Sequence, residues 1–204
     1  MKENTEQQKR EKSQQTKRFF LILIPLIFIL GGLSFYLLSN PKQPTITSSH
    51  NFRFETVQQK ILHIQTSTNQ IKIKEFNGKI VFLKVFGWNC PYCQKEIPEL
   101  IQLKKKFKSA FNTIAIEDQY HTHQENLDFI KKFHVNYGII EGKDQEAFLA
   151  YLKKEYHWNG VIPLTIVIDA TGKLLAFEVG YKSYSLTTLL QTTLKQLTQT
   201  ALAN

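Results

Sequence analysis

The sequence predicts an α/β fold, a central mixed sheet flanked by helices behind a single N-terminal transmembrane helix. Three features predict it: β-branched and aromatic runs alternating with helix-period segments, two late apolar runs joined by Ala170-Thr171-Gly172, and one long apolar stretch near the N-terminus. The chain has 204 residues, 42% of them hydrophobic, which suits one domain of ordinary size. Its net charge of +9 is carried almost entirely by lysine, with Arg10, Arg18 and Arg53 as the arginines. The lysines fall in pairs and a triplet within helical stretches (Lys104 to Lys106, Lys131 and Lys132, Lys153 and Lys154) and read as solvated helix faces. No nucleic-acid partner is expected, since a phosphate-reading surface is rich in arginine with interleaved aromatics.

Residues 1–18 form a basic tail, with six basic residues against three acids. Residues 19–38 are twenty consecutive uncharged, mainly apolar positions. At 1.5 Å per residue they span about 30 Å, the thickness of the hydrocarbon core. A secretory signal has a shorter apolar region and a small-residue cleavage site, whereas this one exits through Leu37-Leu38-Ser39-Asn40-Pro41, so a signal anchor is expected. The basic flank puts the tail in the cytoplasm and the rest of the chain outside. Residues 39–52, rich in Pro, Thr, Ser and Asn, read as a linker, and the folded domain is expected over 53–204.

Within that domain, Ile61-Leu62-His63-Ile64 and Ile71-Lys72-Ile73 read as a hairpin. A turn at Asn77-Gly78-Lys79 leads into Ile80 to Phe86, the β-branched and aromatic run of a buried central strand. A helix follows, with Pro91 in its first turn, apolar residues at helical spacing through Phe107 and an expected kink at Pro98. Next come a strand at Phe111 to Ile116, a polar stretch, a helix to about Phe133, a strand at Tyr137 to Ile140 and a helix over about 143–156. Two strands flanking Ala170-Thr171-Gly172 and a helix from about Ser183 to Leu202 close the chain. Strand–helix units followed by a hairpin and a helix are the layout of the thioredoxin fold.

The chain has two cysteines, Cys90 and Cys93. A disulfide between them closes too short a ring to constrain the unfolded chain, so reactivity is the better reason for the pair. At a strand-to-helix junction, free backbone N–H groups and the helix dipole favour a thiolate at Cys90, the nucleophile. Cys93, one turn on and facing inward, is the resolving thiol. A zinc site would need two ligands from His63, His121, His123, His134 and His157, and His121-Thr122-His123 reads as a polar loop; no metal is expected, and no cofactor beyond the redox-active disulfide.

Three stretches resemble the TlpA/ResA/CcmG branch of membrane-anchored thioredoxin-like proteins across residues 54–202: Asn77 to Gly87, Cys90-Pro91-Tyr92-Cys93-Gln94-Lys95-Glu96-Ile97-Pro98-Glu99-Leu100, and Gly160-Val161-Ile162-Pro163-Leu164-Thr165. From the residues alone Pro163 is as well read trans as cis; the resemblance implies a cis-proline facing the cysteines, with Ile162 free to pair with an extended substrate. Trp88, Pro91 and Tyr92 are further substrate-binding candidates. Glu96, three residues after Cys93, resembles an acid near the thiols in this branch and is a candidate proton relay. Asn89 stands where the family usually has tryptophan, and Lys84 stands where thioredoxin has a buried acid, which puts proton handling in question.

The resemblance implies a thiol–disulfide oxidoreductase of the bacterial cytoplasmic membrane, single-pass, with its domain on the periplasmic or extracytoplasmic side. It is expected to be a monomer that reduces or isomerises disulfides of exported proteins, apocytochrome c among them, and takes electrons from a membrane partner. A thiol oxidase and a non-catalytic binding or chaperone module are the alternatives.

Overall fold

The computed structural model describes residues 49–142 and 145–202. The basic tail, the apolar stretch 19–38 and most of the linker lie outside the described residues. Among the described residues no helix is long and apolar enough to cross a membrane.

The first strand, β1 (His50–Glu55), opens inside the stretch read as linker. Its alternation explains this: Phe52 and Phe54 point to one face, where both rings meet Phe148 edge-on at 5.1 and 5.9 Å. With β2 (Ile61–Ser67) and β3 (Gln70–Ile73) it makes an antiparallel three-stranded sheet. The expected hairpin is present, and its strands run up to a turn in which Asn69 takes a left-handed conformation with φ 58°.

The main sheet has five strands in the order β6-β5-β4-β7-β8. Here β4 is Ile80–Phe86, β5 Phe111–Glu117 and β6 Gly138–Ile140, all parallel; β7 (Leu164–Ile168) runs antiparallel to β4, and β8 (Leu174–Val179) runs antiparallel to β7. The helices are α1 (Pro91–Phe107), α2 (His123–Phe133), α3 (Glu146–Glu155) and α4 (Leu186–Leu202). This is the thioredoxin-like α/β arrangement. Pro98 sits inside α1, which continues through it to Phe107.

Alternation along β4 divides the core in two. Val81, Leu83 and Val85 face a cluster shared with the three-stranded sheet and α3, including Ile64, Ile71, Phe148 and Leu152. Phe82 and Phe86 face the other side, with Cys93, Ile97 and Leu100 of α1, Phe129 of α2 and Leu190 of α4. Lys84, which alternation puts on this second side, is 1% exposed. The central strand therefore carries a buried lysine toward the helix that begins with the cysteines.

Candidate active site

Strand β4 ends at Phe86, and the loop from Gly87 to Asn89 delivers Cys90 to the N-cap of α1. Cys90 is half-buried with extended backbone, and its Sγ accepts the Cys93 N–H at 3.1 Å. Pro91 occupies the first helical position, where a missing N–H costs nothing. Cys93 is 3% exposed and joined to Cys90 in a disulfide, with Cα atoms 5.2 Å apart. One sulfur is thus half-exposed and capped by a helix N–H, and the other is sheltered behind it.

The active-site loop is pinned from two sides. The Trp88 N–H donates to Gln119 Oε1 at 2.8 Å, and its carbonyl accepts from Gln94 Nε2 at 2.5 Å. Its indole stacks on His121 at 3.8 Å and on Phe129 at 4.9 Å. Trp88, read from the sequence as a substrate contact, is therefore packed into an aromatic stack, with its indole N–H buried and without a hydrogen-bond partner. His121 bonds the fully buried Glu117, which also accepts from Asn126 Nδ2 at 3.0 Å, and His123 pairs with Glu141 at 2.5 Å. Both histidines of the polar loop are thus engaged with buried carboxylates. Among the described residues no three His, Cys, Asp or Glu side chains gather to hold a metal ion.

The Ile162–Pro163 peptide is cis. A Cβ on Gly87 would lie 2.9 Å from Ile162 Cδ1, so the absence of a side chain there lets the loop before Cys90 approach this turn. The Pro163 carbonyl accepts the Gly180 N–H at 2.8 Å, which ties the turn to the end of β8. Of the predicted site residues, Pro91 and Tyr92 are exposed, Ile162 is half-buried and Pro163 is buried. The Tyr92 ring stacks on Tyr181 at 4.9 Å, and Lys95 Nζ lies 5.1 Å from one ring centre and 5.8 Å from the other. Tyr92, Val161, Tyr181 and Tyr184 are all large, apolar and exposed. Tyr181 and Tyr184, which follow β8, carried no sequence signal, because nothing in a chain shows that its distant end folds back beside residue 92.

Glu96 is buried, and it is not alone. Lys84 Nζ donates to Glu96 Oε2 at 2.7 Å and to Thr165 Oγ1, and Thr165 is the register partner of Lys84 on β7. Burial pushes the Lys84 ammonium below the usual lysine range, and the Glu96 carboxylate opposes that shift. Burial also raises the Tyr137 phenol, with the Glu96 charge adding to the effect. The pairing had one legible signal: a lysine inside an otherwise apolar strand needs a buried anion, and Glu96 falls on the inward face of α1.

A separate cavity of about 610 Å³ lies where the three-stranded sheet meets the start of β4, the end of β7 and the turn that follows it. Phe52, Ile64, Arg53, Lys72 and Lys79 are among its lining residues, and neither cysteine is.

A family model described as the AhpC/TSA family matches residues 53–177. Thiol-disulfide oxidoreductase ResA of Bacillus thuringiensis subsp. konkukian is 26% identical over 160 residues, 78% of this chain and 86% of that protein. The Bacillus cereus (strain ATCC 10987) protein of the same name is 32% identical over 108 residues, 52% of this chain and 58% of that protein. Among solved structures, the thioredoxin domain of a thiol-disulfide oxidoreductase from Bacteroides vulgatus aligns with TM-score 0.52 at 18% identity, over 73% of this chain and 96% of that one. The exposed lipoprotein thioredoxin of Streptococcus pneumoniae aligns with TM-score 0.53 at 17% identity, over 72% and 99%. At these identities the likeness concerns the fold.

Proposed function

The chain belongs to the AhpC/TSA family of thioredoxin-like proteins, and on that premise we propose that it is a thiol–disulfide oxidoreductase working through Cys90 and Cys93. The observation that carries the reading is the asymmetry of the pair, with Cys90 half-exposed at a helix N-cap and Cys93 buried behind it. The named relatives support the same reaction class.

In the reducing direction, the Cys90 thiolate attacks one sulfur of a substrate disulfide and the second substrate sulfur leaves as a thiolate. Cys93 gives up its proton and attacks Cys90 Sγ. The first substrate sulfur is released and takes the proton that Cys93 gave up, and two electrons have passed from the dithiol to the substrate. An extended client lies along Ile162 and Pro163 beside Pro91, over the exposed residues Tyr92, Val161, Tyr181 and Tyr184. A membrane dithiol partner restores the reduced pair, and no further cofactor takes part.

The remaining parts of the proposal rest on the sequence. Residues 19–38 anchor the chain in the bacterial cytoplasmic membrane with its domain on the extracytoplasmic side, where it serves as a monomer. Exported proteins are the clients, with the haem-site cysteines of apocytochrome c as one class.

The test uses the full chain in detergent, a protein disulfide and a small dithiol donor. Wild type accelerates reduction and Cys90→Ser does not. Cys93→Ser accumulates mixed disulfides through Cys90, whose attached proteins identify the clients. Full activity in Cys90→Ser refutes the reading.

A further inference from the structure

We propose that Lys84 is a positioning residue for the dithiol: through its ion pair it fixes Glu96 as a permanent counter-charge one turn behind Cys93, so that this carboxylate does not carry the Cys93 proton. The inference rests on the oxidoreductase reading and goes beyond it. It replaces a proton relay at Glu96 with a fixed charge pair.

The geometry supports this in three ways. Lys84 and Glu96 are both buried, at 1% and 6% exposure, so water screens their contact poorly. The ammonium reaches the carboxylate at 2.7 Å and also bonds Thr165 Oγ1 on the neighbouring strand, so its direction is set from two elements. A carboxylate that already accepts a charge-assisted hydrogen bond from a buried ammonium is a weak proton acceptor, because protonation leaves that ammonium uncompensated. The Cys93 proton then passes to the departing substrate thiolate, and no protein group need change its charge.

Other groups face the pair and are accounted for. Glu99, on the same helix, adds a favourable field at Lys84, and its own carboxylate accepts the Leu186 N–H at 2.7 Å. Tyr137, just before β6, feels the Glu96 charge, which adds to burial in raising its phenol. Thr165 from β7 does not titrate. Lys84 also joins β4, which leads to Cys90, α1, which carries both cysteines, and β7, which follows Pro163. One side chain thus spans the three elements that meet at the sulfurs.

The proposal is tested on the full chain in detergent with Lys84→Met, Glu96→Gln and the double variant, by the rate at which Cys93 resolves a mixed disulfide and by the infrared band of a protonated carboxyl. Glu96→Gln is expected to slow resolution about 10-fold or more by leaving Lys84 unpaired, and the double variant to return it to within about 3-fold of wild type, the non-additivity of a coupled pair. Lys84→Met is expected to show a protonated carboxyl at neutral pH that wild type lacks and the double variant loses. A double variant as slow as Glu96→Gln, or a protonated carboxyl in wild type, overturns the proposal. If Lys84→Met does not fold, carbon NMR of the Glu96 carboxyl in wild type decides: a flat shift from about pH 5 to about pH 8 upholds the fixed charge, and a titration there overturns it. Activity in Cys90→Ser is measured alongside, so that failure of the oxidoreductase reading is seen separately.

Discussion

Asp118 follows the last residue of β5 and donates its N–H to the Phe86 carbonyl at 2.8 Å, which holds its side chain in a partly buried seam beside the active-site loop. Burial raises its carboxyl above the usual aspartate range, with Lys153 opposing. The native state then holds this proton at a pH where the unfolded chain has lost it. Its contribution to stability therefore falls as pH rises through the ordinary aspartate range up to the raised one, and stays lower above it. For Asp118→Asn, the urea midpoint at neutral pH is expected to exceed that of wild type, and the gap to close on acidification below the ordinary range. Single residues were unevenly readable in the chain. Cys90 and Cys93 announced themselves by scarcity and spacing. The Lys84–Glu96 contact needed the third dimension, because it joins the middle of a strand to the second turn of a helix. The stack of Trp88 on His121 had no signal in the chain, since it depends on how two loops meet.

At the scale of elements, periodicity was a good guide where one face of a segment is buried. The apolar run of β4 and the helical spacing of α1 survive in the structure with their expected bounds. β1 was missed because two aromatics alternating with polar residues, placed after a Thr- and Ser-rich stretch, resemble a linker until Phe148 is known to await them. Capping offers a test at α2. Thr122 accepts the Glu125 N–H at 3.3 Å, and Glu125 returns a bond to the Thr122 N–H at 2.8 Å. Thr122→Ala removes half of this box and is expected to cost about 1 kcal/mol in chemical denaturation. Activity should change little, since His121 and Gln119 lie ahead of the cap.

At the scale of the whole molecule, the two sheets share one apolar cluster and are stitched by isolated bridges between Thr56 and Ile140 and between Gln70 and Lys173. Phe148 of α3 stands at that junction, fully buried between Phe54 and the main sheet. Phe148→Ala is expected to cost about 3–5 kcal/mol and to expose β1 to protease before the main sheet unfolds, which limited proteolysis followed by mass spectrometry would show. The order of strand–helix units gave the five-stranded sheet from the chain. The packing of an extra three-stranded sheet against its face came only from the structure. The ion pair beneath the cysteines has a consequence for descent as well. Neither codon, for the lysine in β4 or the acid in α1, can drift alone without stranding a charge in the core. The two positions form a linked pair of loci, and lineages that leave this arrangement are expected to change both together.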